Sequence, residues 1–460
     1  MRYYSTRNKN EFVNFTIAAL TGLAPDGGLF IPEEIPLYPA NVRSSLGSMD
    51  FTDIAFETVK PYVQDIIPNN ALSDIVQSAF TFNAPLIPAA DRYCLELFHG
   101  PTAAFKDFGA RFMARAFSYL RRGEDRPLRI LVATSGDTGG AVADGFFEVP
   151  GIFVTVLYPK GRVTPLQERQ IAGLGKNITA LAVEGSFDDC QQLVKAALAD
   201  EGGVLKTNDQ KRPALSSANS INISRLIPQA VYYSAAAGRA FSGNIDSDEE
   251  ATPRIKGSPY PSEIKKGLIT LCVPSGNFGN LTAGLYAMKM GAPIKQFIAA
   301  TNINKTFPDY LNSGEYLTRT SQVTISNAMD VGAPSNFERI AAHFTLDEMR
   351  RIILGVSVND DETKETILRI HKEAGYFLDP HSAVGWKGVD KLLTENKIDK
   401  SDVFGILSTA HPAKFSEVVE PLVGLPPVPF SLASAMERTV NAKTIPAEVP
   451  ALIETLYENK

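Results

Sequence analysis

Hydrophobic and polar positions repeat from about residue 92 onward: short apolar runs alternate with longer segments whose apolar residues recur every three to four positions. The run at 130–133 is continuously apolar, as expected of a strand that is covered on both faces. We predict strands at 92–98, 128–134, 152–158, 178–184, 267–275, 294–301 and 403–408. We predict helices at 51–61, 71–80, 105–122, 138–147, 164–174, 187–200, 223–241, 278–290, 336–344, 346–354, 361–374 and 414–422. This alternation predicts an α/β fold with helices packed on parallel sheets.

Two regions depart from the pattern. The N-terminal region begins with few helical signals and carries a strong turn signal, Pro-Asp-Gly-Gly, at 25–28. Residues 244–266 combine charge and proline with no apolar periodicity, which predicts an exposed linker or insertion. The predicted divisions are an N-terminal subdomain packed on the core at 1–90, an α/β region with the smaller sheet at 91–243, the linker at 244–266 and a second α/β region at 267–460.

The composition argues against several classes of function, namely nucleic-acid binding, membrane spanning and metal binding. The chain has 460 residues, 44% hydrophobic and 21% charged, which is typical of a globular protein with two or three domains. The net charge of −6 and the lack of a long basic run argue against nucleic-acid binding. No apolar run reaches the roughly 18 residues of a membrane span, and the polar N-terminus lacks the core of a signal peptide, so we expect a cytoplasmic protein. Three cysteines without CxxC spacing and five histidines without HExxH spacing predict no metal site.

One lysine stands out in the stretch 99–109. Lys106 lies between aromatic residues, just after a predicted strand and at the start of a predicted helix. Desolvation in such a place lowers the pKa of an amine and makes it nucleophilic, which is what a Schiff-base lysine needs. The alternative is an ordinary surface lysine at a helix start.

Two glycine-containing loops join a predicted strand to a predicted helix, where free N–H groups and the helix dipole favour an anion. The loop at 273–280 suits a phosphate, and the loop at 133–140 suits a carboxylate. Packing glycines and a helix cap are the alternative explanations for both. The candidate residues are Gly276, Asn277, Phe278, Gly279 and Asn280 in the first loop and Ser135, Gly136, Asp137 and Thr138 in the second.

Two further polar stretches follow. At 216–225 the candidates for holding an anionic group are Asn219, Ser220, Asn222 and Arg225, with a helix cap and an exposed arginine as the alternative. At 407–414, Thr409 offers a hydroxyl that can bond a ring nitrogen, while His411 is a candidate general base that we expect to be a capping or packing residue instead. Because ligands of open α/β sheets bind at the carboxyl ends of strands, these stretches should converge there with Lys106.

Taken together, these strings resemble the threonine synthase family, whose members are pyridoxal-phosphate enzymes of fold type II. The Phe-Lys-Asp-Phe-Gly string at 105–109 is specific to that family, and the Gly-Asn-Phe-Gly-Asn loop supports it. The N-terminal strings are similar to the longer bacterial and fungal subclass. The matching strings lie at 4–7, 22–32, 99–111, 135–140, 219–222, 276–280, 379–381 and 409–414. The resemblance implies two open parallel-sheet α/β domains, an N-terminal extension and an active site in the cleft between the domains.

The resemblance also implies roles for the candidate residues. Lys106 forms the Schiff base with pyridoxal 5'-phosphate and then moves protons, the 276–280 loop binds the cofactor phosphate, and Thr409 faces the pyridine nitrogen. Ser135, Gly136, Asp137 and Thr138 hold the substrate carboxylate or the O3′ side of the cofactor. Asn219, Ser220, Asn222 and Arg225 are candidates for the substrate phosphate. Phe105 packs beside the ring or in the core.

The reaction that the resemblance implies is a β,γ-replacement in which O-phospho-L-homoserine and water become L-threonine and phosphate. The nearest alternative is a related phospho-lyase that releases phosphate without completing threonine, and the shared strings do not separate the two. Dehydratases and β-replacement enzymes of the same fold have no use for a second phosphate site. A non-catalytic phosphometabolite-binding protein would have no use for Lys106. Either a monomer or a homodimer is compatible with the sequence.

Overall fold

The computed structural model describes residues 1–200, 214–246, 252–255, 258 and 265–458. The strands in these ranges are β1 (Tyr3–Ser5), β2 (Asn8–Val13), β3 (Phe30–Pro32), β4 (Leu86–Ala89), β5 (Arg92–Glu96), β6 (Leu128–Ala133), β7 (Ile152–Pro159), β8 (Ile178–Glu184), β9 (Ala214–Ser217), β10 (Ile269–Pro274), β11 (Ile294–Thr301), β12 (Ile353–Ser357), β13 (Val403–Ser408) and β14 (Ala442–Pro446).

The helices in the same ranges are α1 (Phe15–Thr21), α2 (Ala40–Ser45), α3 (Phe51–Val63), α4 (Asn69–Ala79), α5 (Lys106–Leu120), α6 (Asp137–Phe146), α7 (Pro165–Ala172), α8 (Phe187–Asp200), α9 (Ile223–Leu226), α10 (Ala230–Ser242), α11 (Gly279–Met290), α12 (Thr306–Ser313), α13 (Phe337–His343), α14 (Leu346–Ile352), α15 (Asp360–Ala374), α16 (Pro380–Thr394), α17 (Ser416–Val423), α18 (Phe430–Met436) and α19 (Val449–Glu458). Short 3-10 turns cover Ile227–Gln229, Asn327–Met329 and Pro412–Phe415. No helix in the described ranges is long and apolar enough to cross a membrane.

Two sheets carry the core of the described chain. The larger has six strands in the order β12-β11-β10-β13-β5-β4, parallel except for β4, which pairs antiparallel with β5 at one edge. The smaller has five parallel strands in the order β14-β8-β7-β6-β9. Most of these strands are buried along their whole length, which agrees with the apolar runs in the sequence. The predicted α/β fold with two parallel sheets is confirmed.

The strands of each sheet do not follow the chain order of the predicted regions. Strand β5, from the region 91–243, lies in the larger sheet beside β13, and β14, near the C-terminus, lies in the smaller sheet beside β8. The predicted division at 91–243 and 267–460 therefore misplaces these two strands. Apolar periodicity identifies a strand but contains no information on its partner.

The N-terminal region forms a small antiparallel sheet, β2-β1-β3, with α1 between β2 and β3 and with α2 to α4 after β3. It packs on the rest of the chain through buried contacts. Within the region, the Tyr3 hydroxyl donates to the backbone carbonyl of Tyr62 at 2.7 Å. Between this region and the core, the guanidinium of Arg339 donates to the carbonyl of Phe30.

Most of the predicted linker at 244–266 lies outside the described residues. Thr252 and Arg254, which are described, are buried, so the prediction of an exposed segment is wrong for them. The Thr252 hydroxyl donates to Glu96 Oε2 at 2.9 Å, and Arg254 pairs with Tyr376 in an isolated β-bridge. Glu96 is fully buried and needs donors, of which the Thr252 hydroxyl is one and the Tyr376 hydroxyl is another.

Candidate active site

Thirteen of the predicted site residues meet at one cavity of about 140 Å³. It lies where β6 of the smaller sheet and β10 and β13 of the larger sheet end, so both sheets contribute to its walls. The predicted residues that line it are Lys106, Ser135, Asp137, Thr138, Asn219, Ser220, Arg225, Gly276, Asn277, Phe278, Gly279, Asn280 and Thr409.

Lys106 is the first residue of α5, and its side chain is only 15% exposed. Its Nζ lies 3.5 Å from Asp137 Oδ2 and 4.9 Å from the centroid of the Phe105 ring. Burial lowers the pKa of this amine, and the cations Lys414 and Arg225 lower it further, while Asp137 opposes the shift. The structure thus gives Lys106 the environment of a nucleophilic amine rather than that of a surface lysine.

Asp137 is buried at the start of α6 and forms ion pairs with two lysines. Its Oδ1 accepts hydrogen bonds from Lys414 Nζ at 2.8 Å and from Gln167 Nε2 at 3.0 Å, while its Oδ2 faces Lys106. Burial disfavours the charged carboxylate, but the ammonium groups of Lys414 and Lys106 outweigh burial and hold the pKa of Asp137 well below its usual range. Lys414 lies in a predicted string, yet its role was missed, because only the fold brings it to Asp137.

The loop after β10 approaches its neighbours so closely that a side chain would not fit. A Cβ on Gly276 would lie 2.8 Å from the carbonyl oxygen of Ala328. Phe278 adopts a left-handed conformation with φ 61°, and α11 starts at the next residue. The N–H groups of the first turn of α11 have no partner within the helix and lie at the cavity. This is the geometry of an anion cradle.

Two asparagines fix this loop. Asn277 donates from Nδ2 to Ser220 Oγ at 2.6 Å and accepts from the backbone N–H of Ser335 at 2.6 Å. Asn280 accepts at Oδ1 from the hydroxyls of Tyr232 and Tyr233 at 2.6 and 2.7 Å. Its buried Nδ2 has no hydrogen-bond partner among the described residues. An unused donor in the wall of the cavity points to a ligand that accepts a hydrogen bond.

Next to the 276–280 loop, which Asn277 joins to Ser220, the 219–225 stretch offers both bound and unused donors. Asn219 Nδ2 donates to the carbonyl of Ala133 at 2.8 Å, which holds this stretch against the end of β6. Arg225 donates from Nη1 to the carbonyl of Ala218 at 2.6 Å, and burial lowers the pKa of its guanidinium to about 10. Its buried Nε has no partner among the described residues.

Gly136 and Asn222 do not line the cavity, contrary to our expectation of substrate contacts. Asn222 caps α9 by accepting from the N–H of Ser224, and its Nδ2 donates to the carbonyls of Ala19 and Ser217. Gly136 has a φ of 138° and lies against the side chain of Gln167. Both residues support loops that line the cavity without lining it themselves. A sequence motif does not distinguish such support from ligand contact.

After β13, Thr409 lines the cavity, and its carbonyl accepts from the N–H of Phe105 at 2.9 Å. His411 does not act as a base in this arrangement. Its Nδ1 accepts from the N–H of Ala413 at 3.2 Å, which caps the 3-10 turn, and its ring packs edge-on against Phe98. The expected capping role of His411 is confirmed.

The cavity is also lined by residues for which we predicted no site role, namely the wall at 327–331 and His381. Burial raises the pKa of Asp330 to about 6, although Thr324 and Asn302 donate to its carboxylate. His381 shares a hydrogen bond at Nδ1 with Asp379 Oδ1 at 2.7 Å and accepts at Nε2 from the N–H of Ala328. The available signals were the family-matching string at 379–381 and the end of β11, which lies beside β10 at the same sheet edge.

The side chains of the cavity fit pyridoxal phosphate. Lys106 supplies an amine for covalent attachment to an aldehyde, and its pKa is lowered by burial. The first turn of α11 and the unused Nδ2 of Asn280 supply donors for a phosphate. Gly276 lets this loop lie directly against the 327–331 wall of the cavity. Within the described ranges, no cluster of three or more His, Cys, Asp or Glu could hold a metal ion.

Comparison with known proteins agrees with this chemistry. Residues 91–409 match the family model described as pyridoxal-phosphate dependent enzyme. Residues 2–80 match the threonine synthase N terminus, and residues 382–456 match the threonine synthase C-terminal model. Threonine synthase of Escherichia coli is 40% identical over 462 residues, covering 100% of both chains.

Solved structures give the same result. The crystal structure of threonine synthase from Escherichia coli superposes with a TM-score of 0.86 at 37% identity over 100% of both chains. Pyridoxal-phosphate-bound threonine synthase from Brucella melitensis superposes with a TM-score of 0.84 at 34% identity, covering 99% of this chain and 98% of that one. The chain therefore belongs to the threonine synthase family of pyridoxal-phosphate-dependent enzymes.

Proposed function

We propose that this protein converts O-phospho-L-homoserine and water into L-threonine and phosphate, by a pyridoxal-phosphate-dependent β,γ-replacement. One observation carries the proposal: a buried lysine and a phosphate-type cradle face the same cavity in a chain of this family. The enzyme is accordingly a carbon–oxygen lyase acting on a phosphate ester.

Pyridoxal phosphate, when bound, supplies an electron sink for a carbanion at the substrate α-carbon. Lys106 Nζ attaches the cofactor, and the 276–280 loop with Asn280 Nδ2 binds its phosphate. Thr409, which lines the cavity, would offer its hydroxyl to the ring nitrogen and would leave the ring less electron-poor than a carboxylate would. Asp137, which also lines the cavity, would hold the O3′ side of the cofactor.

The substrate groups are assigned to the remaining walls of the cavity. Ser135 and Thr138, at the start of α6, hold the substrate carboxylate through hydroxyl and backbone donors. Asn219, Ser220 and Arg225 bind the substrate phosphate, for which the unused Nε of Arg225 is a suitable donor. Asn222 is left out of this set because it caps α9 behind the wall.

Lys106 is also the group that moves protons. Its neutral Nζ would accept the α-proton of the substrate, and the same amine would return protons to the substrate afterwards. An amine can do both only if its pKa is brought toward neutrality, and burial provides this shift. Water exclusion by the buried walls limits loss of these protons to solvent.

A decisive experiment measures phosphate and L-threonine together from O-phospho-L-homoserine. We expect equal release of the two products, and loss of both in Lys106→Ala. Lys305→Ala is the matched control, because Lys305 also lies at a helix start, as the N-cap of α12, but is 49% exposed, and it should keep full activity.

The other outcomes identify the alternatives. Phosphate without threonine, with a keto acid and ammonia instead, would identify the related phospho-lyase. If the protein shows no near-visible absorbance band of bound pyridoxal phosphate, the result would identify a non-catalytic phosphometabolite-binding protein. Turnover of substrates without phosphate would favour the dehydratases of the same fold.

We further propose a cytoplasmic location and a monomeric or homodimeric state. The composition supports the location. Sedimentation velocity on the purified chain would decide the oligomeric state, and cell fractionation would decide the location.

A further inference from the structure

Lys414 is a fully buried lysine in the short turn that follows β13. Its side chain has 0% exposure, and its Nζ makes two hydrogen bonds of 2.8 Å, one to the carbonyl of Thr102 and one to Asp137 Oδ1. A buried ammonium group is costly unless it is paired. Nothing in the proposed chemistry uses this amine directly.

The two bonds of Lys414 join three parts of the site. Thr102 belongs to the loop that leads to Lys106, and its hydroxyl and N–H also bind Asp107, the residue after Lys106. Asp137 begins α6, which follows a strand of the smaller sheet, whereas Lys414 follows a strand of the larger sheet. The Lys414–Asp137 pair therefore crosses between the two sheets next to Lys106.

Asp137 is shared unequally between its two lysines. Its Oδ1 accepts from both Lys414 and Gln167, at 2.8 and 3.0 Å, whereas Lys106 lies 3.5 Å from Oδ2. Arg225 is the other charged group that acts on Lys106. Lys414 is thus the closer ion-pair partner of Asp137, and Lys106 has the weaker contact.

We propose that Lys414 is a positioning residue: it is the permanent counter-ion of Asp137 and so leaves the Lys106 amine free to give up its proton. Without Lys414, Lys106 would be the only lysine beside a buried carboxylate, and losing its proton would leave that charge unpaired. With Lys414 present, Lys106 can be neutral, bonded to the cofactor or displaced, and Asp137 stays paired throughout. This inference rests on the proposed role of Lys106.

The test measures the rate at which the cofactor-stripped full chain takes up pyridoxal phosphate, followed by near-visible absorbance across a pH series. The midpoint of that profile reports the deprotonation of the attacking amine, and Lys106→Ala gives the background from other lysines. We expect Lys414→Met to move the midpoint upward by about one pH unit, because a carboxylate then acts on Lys106 alone. Lys414→Arg keeps the charge and should restore a midpoint near that of the unmodified protein.

The double variant Asp137→Asn/Lys414→Met removes both charges of the ion pair at once and leaves no unpaired charge. It therefore tests the proposal even if Lys414→Met does not fold. Its midpoint should lie at or below that of the unmodified protein. Lys391→Met, which removes a remote lysine paired with Glu362, is the matched control and should leave the midpoint unchanged.

An unchanged midpoint in Lys414→Met, or a raised midpoint in the double variant, would overturn the proposal and leave Lys414 a structural residue. The readout does not depend on the substrate. Failure of the phosphate and threonine assay with the midpoints as expected would therefore refute the proposed function and not this inference.

Discussion

At the scale of single residues, the site contains buried ionisable groups whose pKa values are moved in different directions by their neighbours. Burial lowers the pKa of Lys106, two lysines hold that of Asp137 well below its usual range, and burial raises that of Asp107 to about 7. The carboxyl groups of Asp107 and Asp137, in adjoining helices, thus differ in pKa because only Asp137 has ammonium partners in direct contact. Residue type alone predicts none of these differences.

Asp107 predicts a specific dependence of stability on pH. Its folded pKa of about 7 lies above the unfolded value, so between about pH 4 and 7 the folded state binds more protons, and stability falls as pH rises. In Asp107→Asn this contribution is absent. The stability difference, unmodified minus variant, should therefore fall by up to about 1.4 kcal/mol per pH unit across that window and level off above it. Urea unfolding at several pH values measures this difference, and parallel stability curves would contradict a neutral Asp107.

At the scale of elements, local signals located most helices to within a few residues. Helices α7, α14 and α15 each begin with a capping box that is readable in the sequence. The predicted helix at 346–354 ends earlier, because Ile353–Ser357 pairs with β11 as a strand instead. Helix α16 was missed altogether, since Gly385 and Gly388 weaken its helical signal.

The same helix shows why a glycine can be required inside an element. A Cβ on Gly388 would lie 2.8 Å from Val356 Cγ1, and one on Gly385 would lie 3.0 Å from Ile406 Cγ2. These glycines let α16 approach the larger sheet closely. Their sequence signal indicates a loop, while their function is tertiary packing.

The close packing of the loop after β10 predicts an effect of substitution at Gly276. Gly276→Ala places a methyl group 2.8 Å from the carbonyl oxygen of Ala328 and 2.9 Å from Met329 Cα, so the cradle or the 327–331 wall must move. We expect pyridoxal phosphate affinity to fall at least about tenfold, the equivalent of 1.4 kcal/mol. Equilibrium titration of the stripped protein measures it.

Gly279→Ala is the control from the same loop. Its added methyl group would meet Asn336 Nδ2 at 3.3 Å, a side-chain atom that can shift slightly. The loss of affinity should be clearly smaller than for Gly276→Ala, and equal losses would contradict a steric cause at Gly276.

At the scale of the whole molecule, one buried arginine joins regions that are distant in sequence. Arg339 has 0% exposure and donates to the carbonyls of Phe30 and Ile221 and to Asn336 Oδ1. It thereby links the N-terminal sheet to the 219–225 stretch of the cavity wall. Burial lowers the pKa of its guanidinium to about 10.

Arg339→Met should cost about 3 kcal/mol, because it leaves buried carbonyls without donors in three segments. We expect lower thermal stability and weaker substrate binding, the latter because Ser220 and Ile221 lose their support. Arg7→Ala is the control: it breaks an ion pair with Glu338, the neighbour of Arg339, but Arg7 is 54% exposed, so the cost should stay near 0.5 kcal/mol. Calorimetry compares the two, and equal effects would refute the role of Arg339 as a buried clamp.

The sequence by itself determined the α/β class, most helix positions, seven of the fourteen strands in the described ranges, and the five strings that meet at the cavity. It could do so because caps, apolar periodicity and the glycine-rich turns around Lys106, Asp137 and Gly276 depend on neighbours in the chain. The resemblance to a family then implied the cofactor, the reaction and the roles of the residues in these strings.

Only the tertiary structure decided which strands share a sheet, that Asn222 and Gly136 lie behind the cavity wall, and that Lys414 pairs with Asp137. Each of these depends on contacts between residues far apart in the chain. Burial and charge pairing, which set the pKa values of the site, are properties of those contacts, and a local sequence pattern contains no information about them.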